Sequence, residues 1–292
     1  MAKVDEIGIW SREKLLLLNE YLGAYANIMN TQRPSPGKPS GWLKAVHYID
    51  AFAGSVTPWD KEAQEYIDGS PLVALKTVPG FDRYVFIDCD EKRLNENVAP
   101  LMKMFNGNNI ELHHGDCNDV LVRDILPKFT PYGKERGFAF LDPYGLQLNW
   151  STVEAIGKSR VFDVFINFSV MGIIRQLGDK PPCAADQQKI SMVMGQSDWF
   201  HHVYQESQQL TLFDIGPQFE RRSDQLAERL CELYRDQLKT CFEHVSDGVL
   251  MRNSKGGPLY ALILASHAKL AKDKMHEIFG RFNRKKRMHG KS

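Results

Sequence analysis

Four aspartates stand at or just beyond the ends of short apolar runs: Asp50, Asp88, Asp116 and Asp142. Continuously apolar runs that alternate with helical segments are typical of the strands of a parallel sheet. In open parallel sheets, ligands bind beyond the carboxyl ends of the strands, where the strand order reverses. One aspartate after a strand commonly serves only to cap a turn or a helix. Four at successive strand ends indicate a binding site for a polar ligand.

Two of these aspartates stand where carboxylates can bind an adenosine-containing cofactor. In FIDCDEKRL, Asp88 can accept hydrogen bonds from both ribose hydroxyls, as an acid does in NAD sites. No GxGxxG sequence follows any predicted strand, which argues against NAD. In HHGDCNDV, Asp116 can accept a hydrogen bond from an adenine amino group, which favours an adenosyl methyl donor. Gly54, after Asp50, lets a ligand approach the backbone, although a glycine can also serve the turn alone.

The sequence FLDPYG contains residues that can bind a substrate amine. Asp142, Pro143 and Gly145 also fit an ordinary type I turn. In the functional interpretation, Asp142 and the Pro143 carbonyl accept hydrogen bonds from an exocyclic amine, and Tyr144 stacks on the base. Methyl transfer from a sulfonium depends on placement more than on a general base, so these groups suffice for it.

The elements that must position these residues predict an α/β fold. It has a doubly wound, mostly parallel, seven-stranded sheet and a C-terminal antiparallel hairpin. The predicted parallel strands are 46–49, 84–87, 110–114, 138–141 and 161–168. A long helix is predicted over about 218–239, and the hairpin pairs 241–251 with 258–266. These features match the outline of class I S-adenosylmethionine-dependent methyltransferases.

Helix starts are predicted from residues that cap helices. Ser11 is the predicted N-cap of the first helix, and Ser70-Pro71 gives an N-cap followed by a first-turn proline. Ser151 and Glu154 have the spacing of a capping box. In the last helix, the predicted buried residues are Ala271, Met275, Ile278 and Phe279.

Several motifs together resemble the three-Cys-motif partner proteins (TcmP), a family with a methyltransferase-like fold. They are YIDAFAGS, GSP (69–71), FIDCD, GDCND, FLDPYG and VFINFSVMGI, with WSREKLLLLNEYL near the start and GGPLYALILASH near the end. The resemblance covers about residues 10–270. It implies S-adenosylmethionine as cofactor. It also implies a partner, a phage-type protein whose three-cysteine motif resembles radical S-adenosylmethionine enzymes.

The resemblance also implies a role for each matching residue. The cofactor-binding residues it implies are Asp50, Phe52 and Gly54 in the donor loop, Asp88 at the ribose, and Asp116 and Cys117 at the adenine. The catalytic residues it implies are Asp142, Pro143 and Tyr144 at the methyl acceptor.

The chain departs from the methyltransferase pattern in three ways. Val56 stands where many amino-methyltransferases have a further glycine. Residues 55–69 separate Gly54 from the helix that normally comes directly after it, so the methionine end of the donor site is expected to be rebuilt. DPYG has one proline, where enzymes of the DPPY type have two, and it is closer to the DPFG of tRNA guanine-amino dimethyltransferases.

Composition limits the classes of protein. The 43% hydrophobic content and net charge of +1 exclude a disordered chain, and no apolar run is long enough to span a membrane. Five widely spaced cysteines and the absence of a secretory signal predict a cytoplasmic protein with reduced thiols and no metal site. We expect one methyltransferase-like domain over 1–280, with an insertion at 169–217, and a basic disordered tail over 281–292.

The charge is unevenly distributed. The tail carries six Lys/Arg and no acid, so the net charge of +1 becomes −5 without it. Arg284, Lys285, Lys286 and Arg287 can attract a phosphate backbone, or can simply be a solvated terminus. The acidic remainder argues against nucleic-acid binding driven by charge alone.

Three functional hypotheses remain. The first is an S-adenosylmethionine-dependent methyltransferase acting on an exocyclic amine of a nucleic acid. The second is a non-catalytic partner of the three-cysteine protein, which the missing glycine and single proline favour. The third is a magnesium-dependent hydrolase using Asp88, Asp116 and Asp142, which no D-ExK or HNH-like constellation supports. Cys183 after two prolines, and His201-His202, are interpreted as loop or surface residues.

Overall fold

The apolar runs form the strands of a computed structural model that describes residues 5–36, 38–130, 132–206, 219–221 and 225–289. Within these residues the strands are β1 (Glu6–Ile7), β2 (Ala45–Asp50), β3 (Trp59–Asp60), β4 (Glu65–Tyr66), β5 (Arg83–Asp88), β6 (Ile110–His114), β7 (Glu135–Leu141), β8 (Phe162–Phe168), β9 (Tyr204–Glu206), β10 (Phe219–Arg221), β11 (His244–Val245), β12 (Val249–Arg252) and β13 (Pro258–Ser266).

The α-helices of the described residues are α1 (Ile9–Asn30), α2 (Ser70–Leu75), α3 (Glu91–Arg93), α4 (Ala99–Met104), α5 (Cys117–Val120), α6 (Trp150–Ser159), α7 (Val170–Ile174), α8 (Ala184–Met194), α9 (Trp199–Val203), α10 (Leu226–Leu238) and α11 (Lys269–His289). Two π-helical turns, Leu94–Val98 and Leu121–Ile125, and a 3₁₀ turn, Leu126–Lys128, interrupt or extend the shorter helices.

The central sheet is mixed but mostly parallel. Its order is β11–β13–β8–β7–β2–β5–β6, and β12 also pairs with β13. Strands β2, β5, β6, β7 and β8 run parallel, whereas β13 is antiparallel to β8. From β2 the chain moves outward through β5 to β6 and then returns to β7 on the other side. The strand order therefore reverses between β2 and β7, and a ligand crevice is expected there.

The prediction of parallel strands followed by a C-terminal hairpin is confirmed, but the edge of the sheet differs from it. The predicted strand over 241–251 is broken into β11 and β12, which pair with successive parts of β13, so the described sheet has eight strands instead of seven. The Ser246 hydroxyl, between them, accepts a hydrogen bond from the Leu264 amide at 2.9 Å. Gly248 comes next with φ +75°, a left-handed conformation that interrupts regular pairing.

Helices cover both faces of the sheet, as a doubly wound fold requires. One face carries aliphatic side chains such as Ile49, Val85 and Ala139, which pack against the side of α6, α8 and α10. The opposite face is aromatic and packs against α1, α2 and α11; its largest members are Tyr48, Tyr84, Phe86, Phe138, Phe140 and Phe165. Adjacent residues of a strand point to opposite faces, so both layers arise from the same apolar runs.

Three predicted helix starts are wrong. The first helix begins at Ile9 after Gly8, two residues before Ser11. The helix predicted from Ser151 begins at Trp150 after Asn149, because Asn118 accepts a hydrogen bond from the Asn149 amide and fixes the chain there. Gly69, not Ser70, is the residue before α2, although Pro71 lies in the first turn as predicted.

The long helix predicted over 218–239 is confirmed only as α10. Its expected first part contains β10, whose backbone pairs with β9 and whose Phe219 ring packs edge-on against Phe200 at 5.3 Å. Residues 207–217 of the predicted insertion, and residue 218 at the predicted start of the helix, lie outside the described residues. The insertion itself stays a prediction.

The last helix buries the predicted residues Ala271, Met275, Ile278 and Phe279. It continues to His289, so the part of the predicted tail up to that residue is helical. Arg281 and Lys286 form ion pairs with Glu20 and Glu13 of α1. The division into one domain and a tail stays a prediction. No helix of the described residues has the length and apolarity needed to cross a membrane.

Candidate functional site

A cleft of about 760 Å³ opens at the carboxyl ends of the parallel strands. The loops after β2, β5, β6 and β7 form its floor, so it lies at the point where the strand order reverses. Of the predicted site residues it is lined by Phe52, Gly54, Asp88, Asp116, Cys117, Asp142 and Tyr144. Asp50 and Pro143 do not line it. The structure thus brings together most of the predicted site.

Asp50 lies beneath the cleft instead of facing it. Its side chain is 0% exposed, and it accepts hydrogen bonds from the Phe52 amide at 3.3 Å, the Tyr48 hydroxyl at 3.4 Å and the Ser70 side chain. Burial raises the pKa of Asp50 to about 7, and the nearby Asp142 charge adds to that shift. Asp50 therefore shapes the turn that carries Gly54, and its position does not give it direct contact with a ligand.

Gly54 lines the cleft in the loop after β2, where an added Cβ atom would cause no clash. A Cβ atom there would meet only the Phe52 carbonyl oxygen at 3.5 Å and Arg93 Nη1 at 3.6 Å. Arg93 lies on α3, just after Asp88, and pairs weakly with Asp5 at 3.5 Å. A guanidinium therefore lies beside the glycine, in reach of an anionic group bound at this end of the cleft.

The segment 55–69, which departs from the methyltransferase pattern, forms a wall of the cleft. Strands β3 and β4 lie within it, and β3 pairs with β1 from the start of the chain. The segment closes at Gly69, whose amide donates to the Val56 carbonyl at 2.7 Å. A Cβ at Gly69 would lie 1.9 Å from the Ser55 carbonyl oxygen, so only glycine allows this closure. The segment thus forms an added small sheet beside the cleft, and its role at the methionine end of a donor site stays a prediction.

Asp88 and Asp116 lie at the ends of adjacent strands, and each turns one carboxylate oxygen to its own loop. Asp88 Oδ1 accepts from the Asp90 amide at 2.8 Å. Asp116 Oδ1 caps α5 by accepting from the Asn118 amide at 2.7 Å and from Asn118 Nδ2 at 2.8 Å. The second oxygen of each carboxylate has no hydrogen-bond partner among the described residues and can accept from a ligand.

Asn118 ties the Asp116 loop to the loop after β7. Its Nδ2 also donates to the Gln147 carbonyl, and its Oδ1 accepts from the Asn149 amide and the Thr152 hydroxyl. Two ligand-facing loops are thereby held in fixed relative positions. Such positioning keeps the site organised without a ligand.

Cys117 forms part of the floor as a neutral, packed side chain. Burial raises the pKa of its thiol to about 12, with smaller contributions from Asp116 and Cys89. A thiol in that state is not a nucleophile at neutral pH. Its position suits apolar contact with a flat ring better than covalent chemistry.

Asp142 is bound by two side chains that the sequence did not single out. Lys14 Nζ, from α1, lies 2.5 Å from its Oδ2, and Asn167 Nδ2, from β8, donates to its Oδ1 at 2.6 Å. The Lys14 side chain is 10% exposed and that of Asp142 is 22% exposed. The predicted acceptor carboxylate is thus half-buried and already paired within the chain.

The residues that follow Asp142 in DPYG differ in their exposure to solvent. Pro143 is buried, whereas Tyr144 is 87% exposed at the rim of the cleft. The Tyr144 amide donates to Gln147 Oε1 at 3.2 Å, and Gly145 takes φ +67°. An exposed aromatic ring beside a cleft can stack on a flat substrate, as predicted for Tyr144.

The cleft is strongly acidic. Its charged lining residues among the described residues are Asp5, Glu6, Asp88, Asp90, Asp116 and Asp142 against Lys14 and Arg93. Excess negative charge in a cleft favours cations and disfavours a phosphate backbone within it, so a nucleic acid could enter only with a base turned out of its stack. The charges thus suit a ligand with a net positive charge, with Arg93 and Lys14 as local exceptions.

The other cysteine and histidine residues considered in the sequence lie outside the cleft. Cys183 is exposed before α8, and its thiol contacts Asp186 at 3.1 Å. His201 and His202 are exposed on α9, and His202 approaches Asp198 at 3.2 Å. Within the described residues, no group of three or more His, Cys, Asp or Glu is arranged to hold a metal ion.

Lys14, Arg93 and Asn167 are the functional candidates that the sequence patterns did not predict. One signal for Lys14 was present: it is three and four residues before the buried Leu17 and Leu18, so a lysine stands on the apolar face of its helix. Arg93 and Asn167 had no comparable signal. Their importance depends on contacts with residues distant in the chain.

Comparisons with known proteins identify neither a family nor a function. The chain matches no family model and no curated protein sequence. Solved structures that it resembles include a conserved hypothetical protein from Streptococcus pyogenes, at 16% identity over 49% of this chain and 78% of that one, with a TM-score of 0.30. A putative methyltransferase, yhhF, from Escherichia coli is 14% identical over 63% and 80% of the two chains, with a TM-score of 0.31. The YcgJ protein from Bacillus subtilis is 12% identical over 84% and 95%, with a TM-score of 0.30. Structural likenesses with TM-scores this low carry no weight for function. The functional proposal is therefore based on the strand order and the cleft.

Proposed function

We propose that this protein is an S-adenosylmethionine-dependent methyltransferase that acts on an exocyclic amine of a nucleic acid. One observation carries the proposal: Gly54, Asp88, Asp116 and Asp142, from four different strand ends, line a single cleft at the reversal of the strand order. The resemblance to the three-Cys-motif partner family, with its methyltransferase-like fold, supports it.

The residues of the cleft fit the methyl donor. Asp88 and Asp116 each keep one carboxylate oxygen for a ribose hydroxyl and an adenine amine. The cleft wall at Gly54, beside the Arg93 guanidinium, suits a flexible amino-acid tail with a carboxylate. The excess of acids suits a sulfonium and an ammonium. The donor supplies an electrophilic methyl group, and the chain supplies binding, orientation and a polar acceptor end.

Binding of S-adenosylhomocysteine, measured by isothermal titration calorimetry, is the most direct test. We expect the wild-type protein to bind, and Asp88→Ala or Asp116→Ala to weaken binding at least tenfold, because hydrogen bonds to charged groups contribute about 1.5–3 kcal/mol each. Asp119→Ala is the matched control, since Asp119 neighbours Asp116 but pairs with Arg123 at the surface. No binding by the wild type, or equal binding by all these variants, would remove the proposal.

A non-catalytic role as partner of a three-cysteine protein is the second candidate. The observation that favours it is that both oxygens of Asp142 are already paired, with Lys14 and Asn167. Under this alternative, the three-cysteine protein co-purifies with Asp142→Ala as well as with wild type, and no methyl group reaches any nucleic acid. Transfer of a labelled methyl group to a polynucleotide, lost in Asp142→Ala, decides for the enzyme.

A further inference from the structure

Lys14 lies at the place in the cleft where a substrate amine is expected. An amine bound by DPYG must donate to Asp142, and Lys14 Nζ already does so, 2.5 Å from Oδ2. Asn167 occupies Oδ1. A carboxylate has about four lone-pair positions, and Lys14 and Asn167 use two of them. Asp142 can therefore still accept a hydrogen bond from a substrate, but only beside the ammonium. Any substrate group at this end of the cleft therefore meets an ammonium and a carboxylate together.

The ammonium is held in place from several sides. Lys14 belongs to the helix α1. The two residues before it, Arg12 and Glu13, pair with Asp60 at 3.2 Å and Lys286 at 2.9 Å. The Tyr260 ring lies 5.6 Å from Lys14 Nζ, a cation–π distance. The Tyr260 hydroxyl donates to the Trp10 carbonyl of the same helix at 2.7 Å. These contacts anchor the start of α1 and the Tyr260 ring on which Lys14 lies, so we treat Lys14 as a fixed part of the acceptor end.

Two kinds of amine respond in opposite ways to a fixed ammonium. An alkyl amine is protonated at neutral pH and would place a second positive charge beside Lys14. An amino group on a nucleobase is neutral, and on cytosine or adenine a ring nitrogen lies next to it. Its N–H can donate to Asp142 while the ring nitrogen accepts from Lys14, a donor–acceptor pair of the kind proteins use to read base edges.

We infer that Lys14 is a specificity-determining residue that admits a neutral, ring-conjugated amine flanked by a hydrogen-bond acceptor and rejects an alkylammonium. The inference rests on the proposed function, because it assigns the substrate class of that same cleft. It adds a residue from α1, outside the strand-end motifs, to the acceptor end.

The test compares two probes on three proteins. The full-length chain is first saturated with S-adenosylhomocysteine, and cytidine and n-butylammonium are then titrated separately with ligand-observed NMR. Cytidine is chosen over adenosine because adenosine would compete for the adenosyl end. The proteins are the wild type, Lys14→Met, which removes the charge and keeps a long helix-compatible side chain, and Lys14→Arg, which keeps the charge.

We expect cytidine to bind the wild type and to bind Lys14→Met at least tenfold more weakly. Butylammonium should show the reverse: no measurable binding to wild type or Lys14→Arg, and at least a tenfold gain in Lys14→Met, because Asp142 then lacks its cation. Thermal unfolding checks that each variant is folded. If Lys14→Met is not, Lys14→Gln, which is neutral and can still donate to Asp142, takes its place.

The inference is overturned if butylammonium binds wild type and Lys14→Met equally, if cytidine affinity is the same in both, or if cytidine fails to bind the wild type. A failure to bind S-adenosylhomocysteine contradicts the proposed function separately. In that case, the two probes are titrated into the protein alone, and the charge selection at Asp142 is still decided by the same comparison.

Discussion

Asp50 is fully buried at the end of β2, with its carboxylate held by the Phe52 amide, the Tyr48 hydroxyl and the Ser70 side chain. The resemblance assigned it to the cofactor, and the structure places it under the loop that would bind the cofactor. Asp142, by contrast, reaches the cleft with its charge balanced by Lys14. Two aspartates at equivalent strand ends thus have different tasks, decided by burial and partner.

The raised pKa of Asp50 predicts a pH-dependent effect of Asp50→Asn. A carboxyl whose folded pKa is about 7, against 3.8 unfolded, stabilises the fold most below pH 3.8, and this contribution is lost as the pH rises through 7. Asparagine does not titrate. We expect the stability of Asp50→Asn relative to wild type to rise by about 1.4 kcal/mol per pH unit between pH 5 and 7.

Urea unfolding at pH 5, 6 and 7 measures this difference directly. Asp236→Asn provides the control, because Asp236 is 68% exposed and pairs with Lys239 at the surface. A constant difference between Asp50→Asn and wild type over this range would show that Asp50 is ionised throughout.

At the scale of elements, the cleft is assembled from pieces that lie far apart in the chain. Strands β2, β5, β6 and β7 supply the floor, the start of α1 supplies Lys14, and the small sheet of β1, β3 and β4 forms a wall. The segment 55–69, which looked like a departure from the methyltransferase pattern, is what brings the beginning of the chain to the cleft. Its closure depends on one glycine.

Gly69→Ala is expected to destabilise the protein and to disturb the donor end of the cleft. The new Cβ would lie 1.9 Å from the Ser55 carbonyl oxygen, and backbone cannot yield as a flexible side chain does. Overpacking of this kind costs about 1–3 kcal/mol. Differential scanning calorimetry should show a lower Tm, and S-adenosylhomocysteine affinity should fall as well.

Gly107→Ala is the matched control, because a Cβ at Gly107 has no atom within 4 Å. It should leave both the Tm and the affinity close to those of the wild type. Equal effects of the two substitutions would contradict the role assigned to Gly69.

At the scale of the whole molecule, two sets of buried groups respond to pH in opposite directions. Burial raises the pKa of Asp50 and Asp163 to about 7, and burial lowers the pKa of His47 and His267. The aspartates favour the folded state at lower pH. The histidines, neutral in the fold, stabilise it above their unfolded pKa of 6.5 and lose that contribution as the pH falls.

If the two aspartates are replaced, the pH dependence of stability caused by the histidines should therefore become visible. We expect the double variant Asp50→Asn/Asp163→Asn to lose stability as the pH falls from 7 to 5. The wild type should lose less over this range, or gain stability, because protonation of its two buried aspartates stabilises the fold as the pH falls. Chemical denaturation at several pH values measures both curves. If stability changed with pH in the same way in both proteins, the opposed effects of the aspartates and histidines would be contradicted.

Much of the fold could be read from the sequence because its signals are local. Continuous apolar runs predicted the parallel strands, and helical spacing predicted that Ala271, Met275, Ile278 and Phe279 are buried in α11. Helix starts at Ser11 and Ser151 were predicted wrongly because capping patterns compete with tertiary contacts, such as Asn118 holding the Asn149 amide. The break between β11 and β12 depends on a hydrogen bond from the Leu264 amide of β13 to the Ser246 hydroxyl. No local sequence pattern predicts such a contact.

The sequence by itself determined which strand ends carry acids, and a parallel sheet brings the carboxyl ends of its strands to one edge, so Asp88, Asp116 and Asp142 had to meet there. Only the tertiary structure decided which oxygens remain for a ligand. Lys14 and Asp142 are 128 residues apart, and their contact results from how α1 packs across the aromatic face of the sheet. Periodicity fixes which face of a helix is buried, but not which side chain of a distant strand that face will meet.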